Sequence, residues 1–335
     1  MPANLTPEYK AAEAAYRKAR DPKERLEGLR EMLRTMPKHK GTDHLQAEIK
    51  TRIRELTEEL ASPKKGGAHT GPATVIRPEG AAQVALLGPP NTSKSSLHAR
   101  LTGSGAPSGP YPFTTQYPQP GMLPYEDIAF QLVDLPPIAR EHPVPWLAST
   151  LQPADGCLLV VDLAEPDCVE EVATVLEVLV ERRVTLSARW DAEAEGGLGD
   201  PFALTLPTLI LLSRVDRLSD PGAEIEVFRE LTGLDFPALA TSVESGQGLA
   251  DLGPWLFTHL GIVRVYTKAP GRPADRDRPF TLRRGQTVHD VAALVHKDIA
   301  QALRYARLWH GEDVHGLQVG RDHPLADGDV IELHT

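Results

Sequence analysis

An apolar strand that breaks into a proline-rich turn and then opens a helix on a lysine constrains this chain more than any other feature. Residues 83–87 read QVALL, 88–93 read GPPNTS, and Lys94-Ser95-Ser96 begins a helical stretch. A tight strand-to-helix turn of this kind lines up backbone N–H groups where a helix N-terminus attracts phosphate. The lysine adds charge for the β and γ phosphates, and the following hydroxyl can reach a magnesium ion. The pattern G-x-x-x-x-G-K-[ST] is met at every defined position except the second glycine, which is Ser93. Taken alone, the same residues also fit a strand, a turn and a helix with an incidental lysine.

Residues further along the chain extend the pattern. Short apolar strands at Gln83–Leu87, Ile128–Asp134, Gly156–Asp162, Thr208–Ser213 and Pro237–Thr241 alternate with helices beginning near Lys94, Pro145, Cys168, Ala223 and Gly248. Such alternation predicts an α/β fold with a doubly wound, parallel sheet. Tyr111-Pro112-Phe113-Thr114-Thr115 offers two hydroxyls in a loop, Asp134 ends one strand, Ser213-Arg214-Val215-Asp216 ends another, and Thr241-Ser242-Val243 a further one. Ligands of open α/β sheets bind at the carboxyl ends of the strands, where all of these fall. Residues 185–206 carry little hydrophobic order and read as a surface loop.

The flanks differ in kind. From Thr6 to about Leu60 good helix formers dominate, broken near Asp21-Pro22 and Pro37–Gly41, which predicts three helices. In the last, Leu45, Ile49, Ile53, Leu56 and Leu60 form a narrow stripe suited to one partner helix, hence a helical hairpin or small arm. Residues 62–80 read as a linker. Beyond Val263, strands near Ile262–Tyr266, Pro279–Leu282, Tyr305–Trp309, Gly316–Gln318 and Val330–Leu333 with a helix at Val288–Arg304 predict a small mixed sheet crossed by one helix.

Charge follows the same division. The formal net charge of −10 is an average: residues 1–65 carry 15 Lys/Arg against 11 Asp/Glu, residues 66–262 carry 10 against 25, and residues 263–335 carry 11 against 10. Contacts to polyanions therefore belong to the two ends, with Lys38, Lys40, Arg283 and Arg284 as candidates. Two cysteines, Cys157 and Cys168, imply a reducing compartment without disulfides, and Cys157 sits in an apolar run as core. The opening residues lack a secretory h-region, and no apolar run approaches membrane-spanning length. His289, His296 and His323 lack metal-ligand spacing and read as surface or RNA-facing; Trp146, Trp190, Trp255 and Trp309 read as dispersed core residues.

In combination these residues resemble the GTPases of the Obg and developmentally regulated GTP-binding (DRG) group, over nearly the whole chain. The resemblance rests on MPKHKGTDHLQAEIKTRIREL, QVALLGPPNTSKSSLHARLTG, YPFTTQYPQPGMLPYEDIAFQLVDLPPI, VYTKAPG, TVHDVAALVHKDI and DGDVIELH. It implies a helical arm (1–62), a linker (63–82), a P-loop G domain (83–262) and a TGS domain of ubiquitin-like β-grasp fold (263–335). It further implies GTP and GDP as ligands, slow GTP hydrolysis, and a cytoplasmic switch on the ribosome or on structured RNA, reached through the arm and TGS domain. A non-hydrolysing scaffold is the alternative.

Residue by residue, the resemblance implies that Gly88, Asn91, Thr92, Ser93, Lys94, Ser95 and Ser96 cradle the phosphates, with Lys94 and Thr115 serving catalysis. Ser95, Thr115 and Asp134 would hold Mg²⁺, and Asn91 would be a ligand for K⁺. Asp216 would accept from the guanine N1 and N2 hydrogens, favouring GTP over ATP. Ser213 and Arg214 occupy the remaining base-reading positions, and Ser242 and Val243 would offer backbone to the guanine oxygen. Three departures accompany this: Ser93 adds a Cβ at a crowded turn, Pro137 has no N–H where the family's glycine meets the γ-phosphate, and Ser213-Arg214 replace an Asn-Lys pair. Each costs roughly one to a few kcal/mol of nucleotide binding, together several powers of ten. Ile138 and Ala139, just beyond Pro137, cannot orient a water molecule.

Overall fold

The computed structural model describes residues 6–19, 22–37, 42–61, 74–104, 115–190, 200–311 and 316–335. The chain divides into two units, Met1–Pro72 with Ala194–Ala203, and Ala73–Glu193 with Leu204–Thr335.

Three helices make the first unit: α1 (Pro7–Lys18), α2 (Pro22–Thr35) and α3 (Asp43–Ala61). Helix α1 starts where Thr6 Oγ1 accepts from the Tyr9 N–H and Pro7 fills the first turn, a position that needs no donor. Tyr9, Tyr16, Leu29, Met32 and Ile49 close a core, with Leu45, Ile53 and Leu56 along its edge. The stripe on α3 thus joins a core shared by three helices, where the sequence predicts one partner helix in a helical hairpin or small arm. Phe202 joins them, edge-on to Tyr16 at 6.1 Å and beneath the Arg52 guanidinium at 3.9 Å.

The second unit holds two sheets. In the first, β1 (Gln83–Leu87) is flanked in parallel by β3 (Ile128–Asp134) and β4 (Gly156–Asp162), and β6 (Leu204–Ser213) continues beyond β4. All five residues of β1 and all seven of β4 are buried, as expected for strands covered on both faces. The long β6 pairs first with β5 (Val184–Ser187) and then with β7 (Ala238–Ala240). At the other edge β2 (Gln119–Tyr125) runs antiparallel to β3. Around these lie α4 (Lys94–Thr102), α5 (Leu147–Leu151), α6 (Cys168–Glu181), α7 (Pro221–Thr232) and α8 (Leu252–His259). Cys157 lies in the core on β4, and burial pushes its thiol up to about 12.

The second sheet has the order β11 (Leu317–Val319), β10 (Tyr305–Trp309), β12 (Asp329–His334), β8 (Ile262–Thr267), β9 (Asp275–Arg283), with helices α9 (Val288–Val295) and α10 (Lys297–Ala302). Arg264 is one of the residues that join the two sheets, beside Arg283 on β9, which pairs with Asp155 at 2.9 Å. Arg264 on β8 pairs with Asp327 at 2.8 Å, with Asp127 at 3.0 Å and with Glu126, the last two in the β2–β3 turn, while Tyr266 donates to Asp127 at 2.5 Å.

Four further expectations change. The stretch 185–206 is only partly loop: β5 occupies its start, Phe202 packs on the helices, and β6 begins at Leu204. The predicted helix at Val288–Arg304 is two, because His296 is extended (φ −168°) and its side chain caps α10 by accepting from the Asp298 N–H. Strand β2 is an addition to the predicted set. Trp190 and Trp255 are not dispersed: their rings meet edge to face at 4.8 Å, and Trp255 stacks on His259 at 3.9 Å.

Candidate functional site

The turn after β1 takes the shape its glycine and two left-handed residues impose. Gly88 has φ +151°, and a Cβ there would come within 2.5 Å of the Val160 carbonyl. Asn91 (φ 61°) and Ser93 (φ 67°) turn the chain into α4, with Ser93 as N-cap residue making no side-chain cap. The first intrahelical bond of the turn, Leu97 N–H to the Ser93 carbonyl at 2.8 Å, leaves the N–H groups of Lys94, Ser95 and Ser96 in a first turn that has no preceding carbonyls to meet them. That is a ready anion site. Lys94 is buried; its Nζ donates to the Pro89 carbonyl at 3.0 Å, which also accepts from Thr92 Oγ1 at 3.1 Å. Burial pulls the Lys94 ammonium down to about 8, against the opposing pull of Asp134 and Glu171.

Across the sheet end, three oxygens gather from three elements. Ser95 Oγ donates to Asp134 Oδ2 at 2.6 Å and lies 2.9 Å from Thr115 Oγ1, which donates to the same carboxylate oxygen at 3.2 Å. The other oxygen, Asp134 Oδ1, is buried and has no hydrogen-bond partner among the described residues. Two hydroxyls and one carboxylate with an orphaned oxygen form an all-oxygen donor set of the kind a hard divalent cation takes, with waters completing its shell. These residues fit magnesium. Among the described residues no group of three or more His, Cys, Asp and Glu could hold a metal ion.

The loop after β3 keeps its backbone to itself. Leu135 N–H donates to the Leu86 carbonyl at 3.3 Å and Ile138 N–H to that of Gly88 at 3.1 Å, while Pro137 between them has no donor. Tyr111 to Thr114 of the hydroxyl loop lie outside the described residues.

On the base side, Ser213 is buried and its hydroxyl donates toward the Thr92 carbonyl at 3.0 Å and that of Val161 at 3.2 Å. It ties β6 to the phosphate loop. Asp216 is exposed on a short 3-10 turn (Val215–Arg217), and the Val215 N–H donates to the Thr241 carbonyl at 3.3 Å, bringing the two candidate base loops side by side. The Ser242 N–H is engaged by the Gln247 carbonyl at 3.1 Å and its hydroxyl accepts from the Ser245 N–H. Of the pair Ser242 and Val243, the former is therefore held within its own turn.

Arg214 reads in sequence only as an altered base contact, and it does more. Its Nε donates to Ser93 Oγ at 2.9 Å, its Nη2 to the Asn91 carbonyl at 2.9 Å, and its Nη1 to the buried Asp162. Glu165 stands 3.5 Å off. Sequence reasoning misses Asp162, although it ends β4 as Asp134 ends β3. It misses His98 too, which lies buried on α4 with its Nε2 3.2 Å from the Leu132 carbonyl, where burial lowers its affinity for a proton.

Comparison with known proteins gives two family matches, a 50S ribosome-binding GTPase family over residues 83–188 and a TGS domain over residues 263–335. The chain is similar to a GTP-binding protein of Methanocaldococcus jannaschii, 26% identical over 92% of each chain. It is 26% identical to developmentally-regulated GTP-binding protein 1 of Xenopus laevis, over 90% of this chain and 96% of that one. The solved YchF GTPase of Schizosaccharomyces pombe matches its fold with a TM-score of 0.52 at 14% identity, over 78% of this chain and all of that one.

Proposed function

Since the chain is a GTP-binding protein of the developmentally regulated (DRG) type with a C-terminal TGS domain, we propose that it binds GTP and GDP at the Gly88–Ser96 turn and hydrolyses GTP slowly, as a cytoplasmic switch. One observation carries this: the oxygens of Ser95, Thr115 and Asp134 lie within 3.2 Å of one another beside the buried Lys94. Lys94 meets the β and γ phosphates, the first-turn N–H groups of α4 cradle them, and Ser95, Thr115 and Asp134 hold magnesium, which supplies charge neutralisation at the phosphates. Asp216 reads guanine, with Val243 rather than Ser242 offering its N–H, and Asn91 serves potassium. Titration with fluorescent GTP and ATP analogues in Mg²⁺, with K⁺ or Na⁺, followed by phosphate release, tests this. Binding of GTP over ATP and release accelerated by K⁺ are expected; no GTP binding at hundreds of micromolar overturns it.

A second reading, a nucleotide-binding scaffold without hydrolysis, is favoured by the loop at Pro137, which has no N–H to give and is followed by Ile138, whose N–H is already given to Gly88. Tight binding without phosphate release would select it. We further propose that ribosomal or structured RNA meets the helical arm and TGS domain. Arg283 is unsuited to test this, because it pairs with Asp155 at 2.9 Å and its reversal would disturb the fold. Lys38 and Lys40 lie outside the described residues. Reversing Lys38, Lys40 and Arg284 should weaken ribosome co-sedimentation; unchanged sedimentation defeats the RNA assignment.

A further inference from the structure

Two of the three departures from the family pattern touch each other. Ser93 stands where the pattern has glycine, Arg214 where it has lysine, and Arg214 Nε donates to Ser93 Oγ at 2.9 Å. The same guanidinium takes the Asn91 carbonyl at 2.9 Å and the carboxylate of Asp162, which is 1% exposed and also accepts from the Ala164 N–H at 3.1 Å. Three acceptors from two loops thus converge on one planar fork. A lysine ammonium is a single point at the end of a flexible stem and cannot span them; the rigid five-donor fork can. Conversely, glycine at position 93 would give Nε nothing to hold. Both Ser93 (φ 67°) and Arg214 (φ 54°) sit in the left-handed region, which a residue with a Cβ occupies only when its surroundings hold it there. Each residue makes sense only with the other.

We propose that Arg214 is a positioning residue that clamps the phosphate loop in its binding shape through Ser93, Asn91 and Asp162, so that Ser93 and Arg214 act as one coupled unit setting nucleotide affinity. This rests on the assignment of the Gly88–Ser96 turn to nucleotide phosphates. In the clamp, Arg214 fixes the turn at two of its residues, while Ser213 next to it fixes Thr92 between them through the 3.0 Å bond to the Thr92 carbonyl. Three consecutive residues of the turn, 91 to 93, are therefore held from β6. The loop that the added Cβ would have loosened is braced instead.

A double-mutant cycle tests this with four full-length proteins: wild type, Ser93→Gly, Arg214→Lys, and both together. Affinity for a fluorescent GTP analogue in Mg²⁺ and the melting temperature without nucleotide are both measured. With Ser93 present, Arg214→Lys should weaken GTP binding by about tenfold or more and lower the melting temperature. In the Ser93→Gly background the same change should cost measurably less, about threefold, with a smaller fall in melting temperature, because only the contacts to Asn91 and Asp162 are left to lose. Amide exchange at Thr92–Leu97 should speed up in Arg214→Lys alone. If Arg214→Lys costs the same in both backgrounds, the coupling does not exist. If wild type fails to bind GTP, the nucleotide assignment falls, and the ligand-free melting temperatures and amide exchange of the four proteins still decide the coupling.

Discussion

Arg214 and Arg264 each hydrogen-bond to three residues, but in different electrostatic settings. Arg214 sets the buried Asp162, with Glu165 at 3.5 Å, against a hydroxyl and a backbone carbonyl, all within the nucleotide end of the first sheet. Arg264 faces three carboxylates, Glu126, Asp127 and Asp327, and joins the two sheets. The first arrangement is a matter of shape, since its neutral acceptors reward only a fork of the right geometry. The second is a matter of charge, and the surplus acid raises the arginine's hold on its proton above an already high value. Burial alone would push Asp127 and Asp327 up. The hydrogen bonds from Tyr266 and Arg264 to Asp127, and from Arg264 to Asp327, more than offset it and hold both below the usual carboxylate range.

The sharpest way to separate the two regions is to remove Lys94 from the first. Lys94→Met should weaken GTP binding at least about 100-fold, near 2.7 kcal/mol, while the ligand-free melting temperature holds or rises, because a buried ammonium costs stability that an apolar chain of similar length does not. A parallel fall in melting temperature would show that Lys94 serves the fold. The complementary change, Arg264→Ala, should act on stability instead, lowering it by about 2 kcal/mol and the melting temperature by about 5 °C.

Acid provides the next test. Asp127 and Asp327 titrate lower in the folded chain than in the unfolded one, so their stabilisation is present above the unfolded value of about 4 and is lost as pH falls through the folded values. The melting-temperature difference between wild type and Arg264→Ala should be full at pH 7 and shrink steadily below pH 4. A difference independent of pH would mean that Arg264 acts through packing on the Phe257 ring, which lies 4.9 Å away. The smallest effect is at Lys94. Its ammonium is held near 8 without ligand, below the ordinary 10.5, so the folded chain has given up a proton that the unfolded chain keeps, and stability should rise with pH between those values. Phosphate at the turn reverses the shift. Nucleotide binding at pH 8 to 9 should therefore take up protons, read as a dependence of binding heat on buffer ionisation enthalpy.

The parts of this molecule legible in sequence are those whose signal is local. Buried parallel strands such as QVALL and GCLLVVD advertise themselves by continuous apolar residues, and the lysine after a tight turn marks its own site. The cluster of Ser95 with Asp134 is legible because Ser95 adjoins that lysine and Asp134 ends an apolar strand. Strand β2 is hidden: QPGMLPY carries two prolines and a glycine and is mostly exposed, which an edge strand tolerates but no alternation reveals. Phe202 is hidden because a single aromatic residue in a polar stretch gives no period. The partners of Arg214 and Arg264 are hidden for another reason. An ion pair across 137 residues of chain, as between Arg264 and Asp127, leaves no trace in spacing. Ser93 and Arg214 each look like a loss when read alone, and only their contact gives them a common meaning.

The β2–β3 hairpin has a mechanical consequence. Its register locks Gln119 to Asp134 at one end and Tyr125 to Ile128 at the other, a span of about 20 Å, roughly six rises of 3.3 Å. A hydrogen-bonded ribbon of that length neither stretches nor shortens appreciably. It is a rod, with the carboxylate proposed to help hold magnesium at one tip and the turn gripped by Arg264 and Tyr266 at the other. One strand, Ile128–Asp134, therefore carries the candidate metal carboxylate at one end and leads at the other into the turn that Arg264 grips, so the two places are a fixed distance apart.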